Sequence, residues 1–171
     1  DFFGVICHDE YWKELRRTNL LNDDVDQLDK KMNSGQVSWK EFLQEVQKKS
    51  GLTVKQIHWL YQTEQIDPRM IAFAAELRKN LKTGILTNAN HEYLDEIVTK
   101  NFLYLAFDSF IISSRVGVTK PDPKIYTLAL EELGVNPEEA IFIDDIASNV
   151  DGAREVGINA ILYESFEQTQ R

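Results

Sequence analysis

Cysteine is almost missing from this 171-residue chain. Cys7 stands alone, which excludes a disulfide within the chain and any cysteine-cluster zinc site. Histidine is nearly as scarce, and His8, His58 and His91 fall at no metal-ligand spacing. No apolar run approaches the ~18 residues that a membrane-spanning helix needs. Basic charge is outnumbered: 19 Lys and Arg against 28 Asp and Glu leave a net charge of −9. That balance argues against a nucleic-acid partner, because phosphate neutralisation needs clustered Lys and Arg. No signal-peptide pattern is evident, so a cytoplasmic location is the expectation. What the chain does hold is an apolar share of 43% with nine Phe, enough for a packed core of one domain with an insertion.

Two textures follow one another along the chain. Residues 9–79 are polar and helical in period. Tyr11, Trp12 and Leu15 form a partial apolar stripe, and Val25, Leu28 and Met32 share one helix face. Ser38 with Glu41, and Thr53 with Gln56, carry the capping-box spacing. Asp67-Pro68 reads as a helix start. From residue 80 onward, short apolar runs alternate with helical stretches. Runs at Gly84–Leu86, Phe110–Ile112, Ala140–Ile143 and Ile158–Leu162 predict four strands, separated by helices near 91–100, 124–133 and 148–156. Apolar strands joined by helices predict an α/β fold with a parallel sheet covered on both faces.

On such sheets ligands gather at the carboxyl ends of strands, so the residues there carry the functional reading. Asp1 to Val5 reads as the close of one strand. Thr87 and Asn88 follow another. Lys120 stands among turn formers in Gly117-Val118-Thr119-Lys120-Pro121-Asp122-Pro123, and Asp144-Asp145 ends a third strand. Carboxylates bind a hard divalent cation such as Mg²⁺ through oxygen. One carboxylate can attack phosphorus, while a lysine and a hydroxyl stabilise the charge that develops. Tyr126, Cys7, Trp12, Trp39 and Trp59 read as packing, Asp122 equally as a turn residue, and Asn149 as a helix cap or a support for the acids.

Taken in order, these four segments resemble the motifs of the haloacid dehalogenase (HAD) superfamily of hydrolases. Asp1-Phe2-Phe3-Gly4-Val5 is similar to its first motif and Ile85-Leu86-Thr87-Asn88 to its second. Gly117 to Tyr126 is similar to its third, and Ile141 to Asp145, continuing through Asn149, Gly152, Ala153 and Gly157, to its fourth. The wording of the fourth resembles the subgroup that includes the phosphatase domain of soluble epoxide hydrolase. The resemblance implies a Rossmann-like doubly wound core at 1–8 and 80–171 with an inserted α-helical cap at 9–79. It implies an Mg²⁺-dependent phosphatase that takes a small phosphorylated metabolite as substrate, acting as a monomer or homodimer. Asp1 would be nucleophile and metal ligand, and the Phe3 backbone carbonyl and Asp145 would complete the metal site. Asp144 would support that site from behind or through water. Thr87 would hydrogen-bond the phosphoryl group, Asn88 beside it would belong to the catalytic set, and Lys120 would balance the charge of Asp1 and the phosphate.

One residue departs from the pattern. Phe3 occupies the position where the family's phosphatases usually carry an Asp that protonates the leaving oxygen. General acid catalysis contributes ~10²–10⁴-fold, so a slow phosphatase, or another acid such as His8 or Asp9, is implied. Two alternatives stand beside that reading. One is a 2-haloacid dehalogenase, whose family pattern also has an aromatic here. The other is a noncatalytic binding module. Retention of both Asp144 and Asp145 favours the metal and phosphoryl branch. Because Asp1 opens the chain where a strand should end, the further expectation is a true N-terminus upstream of it.

Overall fold

The computed structural model describes residues 1–8, 23–61 and 65–170, main chain alone at 58–61. The expectations for Asp9, Tyr11, Trp12 and Leu15, and for the side chains of His58 and Trp59, lie outside the described residues.

The described residues between 23 and 61 form three helices: α1 (Asp23–Asn33), α2 (Trp39–Ser50) and α3 (Val54–Tyr61). Local chemistry sets their starts. Ser38 Oγ accepts from the Glu41 amide at 3.3 Å, and the Glu41 carboxylate accepts from the Ser38 amide at 2.9 Å. Thr53 and Gln56 make the same reciprocal pair at 3.2 and 2.9 Å. Each box satisfies two amides that a helix start would otherwise leave open. The buried faces are Val25 and Met32 on α1, and Phe42, Leu43 and Val46 on α2, matching the 3.6-residue spacing.

These helices are flanked by two very short strands, β1 (Cys7–His8) and β2 (Gln65–Ile66), paired antiparallel with Cys7 opposite Ile66. Two-residue strands have no readable period, which is why the sequence did not announce this ribbon. From β2 the chain enters α4 (Pro68–Leu77), capped by Asp67 as its residue types predict.

The remainder alternates strand and helix: β3 (Gly84–Thr87), α5 (His91–Lys100), β4 (Ser109–Ile112), the single turn α6 (Ser113–Val116), α7 (Pro123–Leu133), β5 (Ile141–Asp144), α8 (Ala147–Glu155), β6 (Asn159–Leu162) and α9 (Phe166–Thr169). β3 pairs with β4 and β5 with β6, both in parallel. The four expected strands and the three helices near 91, 124 and 148 are all found. Side chains alternate between two cores along these strands. Ile85, Ile112 and Ile143 join a cluster that holds Phe2, Phe42, Tyr93 and Leu94. Leu86, Ile111 and Phe142 join a second cluster, with Ile125, Tyr126, Leu130 and Ala153 of α7 and α8. Burial on both faces explains why β3 and β4 read as unbroken apolar runs, whereas Ile141, Ile161 and Leu162 of the β5–β6 pair stand exposed. The architecture is the α/β, Rossmann-like doubly wound one expected.

Candidate active site

Of the polar residues at the strand ends, Asp1, Asn88 and Asp144 meet at one buried cation, Lys120. Lys120 lies in the loop before α7 and is 4% exposed. Its Nζ stands 2.9 Å from Asp1 Oδ1 and 2.6 Å from Asp144 Oδ2. Burial pulls its pKa down from 10.5 to about 8, against the upward pull of Asp144 and Asp145. At neutral pH it therefore remains an ammonium, and two carboxylates stand against it.

Asp144 ends β5 and is fully buried. Lys120 does not satisfy it alone. Its Oδ1 accepts from the Ile146 amide at 2.8 Å, and Asn149 Nδ2 reaches its two oxygens at 3.0 and 3.1 Å. A carboxylate taken from water is tolerable only when its lone pairs are met in this way. Asn149 is held in turn: its backbone carbonyl accepts from Tyr126 Oη at 2.7 Å. Burial raises the pKa of that phenol, so it stays protonated and donates. Tyr126 packs, as its sequence setting suggests, and also anchors the residue that holds Asp144.

Asp1 lies beside β5, its nitrogen donating to the Ile143 carbonyl at 2.6 Å. Asp1 Oδ1 accepts from the Phe2 amide at 2.6 Å as well as from Lys120. Asp145, next along from Asp144, is exposed. One carboxylate oxygen from each of Asp1, Asp144 and Asp145 can be chosen so that all lie within 4.8 Å of one another. An all-oxygen donor set of this size suits a hard divalent cation. Gly4 shapes the same corner. Its φ is +82°, and a Cβ there would stand 2.3 Å from Asp145 Cγ, so only glycine leaves room for that carboxylate. The sequence reading counted Gly4 within a motif but gave it no task. Positive φ and close approach are not visible in residue types.

Thr87 closes β3 and is fully buried, with its Oγ1 lacking a hydrogen-bond partner. A buried unpaired hydroxyl costs about 1–3 kcal/mol, and a ligand oxygen at the sheet edge is the kind of acceptor that would relieve it. Asn88 is turned elsewhere. Its Nδ2 donates to the Lys120 carbonyl at 3.0 Å and its Oδ1 accepts from the Lys120 amide at 2.8 Å. That two-way clamp fixes the Lys120 loop to the end of β3. Phe3 is half-buried, its ring edge-on to Phe2 with centroids 4.9 Å apart. A phenyl ring has no proton to transfer.

Known proteins are similar to this chain in sequence and in fold. A model of haloacid dehalogenase-like hydrolases matches residues 1–157. Bifunctional epoxide hydrolase 2 of Rattus norvegicus is 36% identical over 102 residues, 56% of this chain and 18% of that protein. Phosphatase MT3486 of Mycobacterium tuberculosis is 37% identical over 95 residues, 54% of this chain and 43% of that protein. (S)-2-haloacid dehalogenase 4A of Burkholderia cepacia is 36% identical over 93 residues, 52% of this chain and 40% of that protein. The chain thus spans less than half the length of each of these relatives. A HAD family enzyme of Bacteroides thetaiotaomicron, crystallised with magnesium and inorganic phosphate, has the same fold. The TM-score is 0.79 at 21% identity, covering 98% of this chain and 95% of that one.

Proposed function

The chain belongs to the haloacid dehalogenase-like hydrolase family, and from that premise we propose that it is an Mg²⁺-dependent phosphatase acting on a small phosphate monoester. One observation carries the reading. Lys120, buried between Asp1 and Asp144, stands beside a third carboxylate close enough to share a cation. A metal-free displacement has no use for three converging acids, whereas phosphoryl transfer needs both a cation and a charge-balancing lysine.

Asp1, Asp145 and the Phe3 backbone carbonyl would hold the metal, with Asp144 supporting from behind. The metal when bound supplies Lewis-acid charge to the phosphoryl oxygens. The chain's own groups do the rest. An Asp1 carboxylate oxygen attacks phosphorus, the bond to the leaving oxygen breaks, and an aspartyl phosphate forms. Lys120 stays protonated and balances the charge on Asp1 and the phosphoryl oxygens. Thr87 Oγ1 donates to one of those oxygens and gains the partner it lacks. Asn88 acts through Lys120 by clamping its backbone. Water then attacks phosphorus, releasing inorganic phosphate and restoring the Asp1 carboxylate. The segment 9–79 serves as a cap that closes on the site and selects substrate.

Phe3 itself supplies no proton to the departing oxygen. The enzyme should therefore favour esters whose leaving groups depart unprotonated, such as aryl phosphates, over alkyl phosphates. Turnover of p-nitrophenyl phosphate with and without Mg²⁺ tests the proposal, and metal-independent turnover, or none, contradicts it. A 2-haloacid dehalogenase is the second reading, favoured by the aromatic ring at Phe3. Chloride release from a 2-haloacid without metal would establish it in place of the first.

A further inference from the structure

Two serines outside the reacting groups tie the helical segment to the loop that follows Thr87. Ser113 opens the single turn α6 and is fully buried. Its Oγ accepts from the Ala89 amide at 3.0 Å and donates to the Asn33 carbonyl at the end of α1. Ser114 Oγ accepts from the His91 amide at 2.7 Å, and the Ser114 amide donates to the Ala89 carbonyl at 3.3 Å. Residues 89–91 are thereby held by three bonds through backbone amides to one serine pair, with His91 Nδ1 also 3.1 Å from Ser114 Oγ and the Ala89 carbonyl 3.4 Å from Ser113 Oγ. The far side of that pair touches the turn after α1. A Cβ at Gly35 would lie 2.5 Å from the Ser114 carbonyl oxygen, and the φ of +77° there suits glycine.

A hydroxyl has one proton. Ser113 spends it on Asn33, 80 residues away, while its lone pair holds Ala89, two residues beyond Thr87. A donor already engaged makes a stronger acceptor, so the two bonds support each other. Loss of the Asn33 contact weakens the hold on Ala89, and the reverse. We propose that Ser113 is a positioning residue: it couples the seating of the α1–α2 turn to the placement of Thr87 and Asn88. The site is then fully set only while the helical segment sits on the sheet. The consequence for turnover rests on the phosphatase reading, but the coupling itself does not.

Amide hydrogen exchange on the full chain tests the coupling without activity. Ser113→Ala should raise the Ala89 exchange rate about tenfold, the loss of roughly one hydrogen bond. It should also raise the rates of Gly35 and Gln36, whose amides bond to the end of α1. Gly35→Ala drives a methyl against the Ser114 carbonyl and so shifts the α1–α2 turn from the serine pair, and it should raise Ala89 exchange severalfold. An Ala89 rate within twofold of wild type in Gly35→Ala overturns the proposal. If either variant fails to fold, the wild type decides. With small amounts of denaturant, Ala89 and Gln36 should open together with one slope, and independent opening overturns the coupling. On p-nitrophenyl phosphate, Ser113→Ala should lower kcat about tenfold with KM within twofold. Unchanged kcat alongside faster Ala89 exchange would overturn the claim that Thr87 is placed through Ser113. Absence of turnover in the wild type would instead count against the phosphatase reading alone.

Discussion

Replacing Lys120 by Met gives the sharpest test of the charge arrangement. Methionine keeps most of the buried volume and removes the ammonium. The Lys120 side chain is 1% exposed, and its partners Asp144 and Asp1 are 0% and 7% exposed. Breaking a buried pair by removing one partner costs about 3–5 kcal/mol, because the remaining charge is uncompensated. Asp144 keeps the Ile146 amide and the Asn149 side chain, which places the loss near the lower end, about 3 kcal/mol at pH 7. Urea unfolding of wild type and variant at pH 7 should show that gap. Adding Asp144→Asn should restore part of the loss. A gap under about 1 kcal/mol would refute the reasoning, since it is what an exposed pair shows.

Other perturbations read other parts of the structure. Thr87→Val removes the unpartnered hydroxyl at nearly constant shape; it should raise stability by about 1 kcal/mol while lowering kcat/KM about a hundredfold. Equal loss of stability and activity would mean that the hydroxyl serves the fold. Gly4→Ala places a methyl into the Asp145 carboxylate and should weaken Mg²⁺ binding, read by calorimetry, about tenfold or more. Unchanged affinity would remove Asp145 from the metal site. Asp67 caps α4, and its hydrogen bonds with Arg69 hold its carboxyl below the usual range. Its charge thus stabilises the fold in full above the unfolded value and is lost as pH falls through the lower folded one. Asp67→Asn keeps the cap, so its deficit against wild type in thermal unfolding should be present at pH 7 and close below about pH 4. A deficit that persists in acid would show the charge to be irrelevant.

Much of the fold was legible because its signals are local. A capping box needs two residues three apart, and Ser38 with Glu41 and Thr53 with Gln56 both form one. The apolar runs of β3 and β4 announce themselves because both faces of these strands are buried. The site was legible for a related reason: parallel strands end on one side of the sheet, so polar residues after apolar runs meet. What stayed hidden is long-range or conformational. Asn88 looked like a substrate contact, but its amide is spent on Lys120, 32 residues away. The space that Gly4 leaves for Asp145 depends on a positive φ. Ser113 and Ser114 carry no local signal in the sequence, and their partners lie 80 and 23 residues distant.

The central claim is that Asp1 carries the phosphoryl group in turnover, and trapping it tests this most directly. The full chain is mixed with p-nitrophenyl phosphate and Mg²⁺, quenched in acid within a turnover, and mapped by mass spectrometry. A hydroxylamine-labile phosphoryl adduct on Asp1 is predicted, absent without Mg²⁺ and absent in Asp1→Asn. Turnover with no adduct at Asp1, or with the adduct on another residue, would contradict the account.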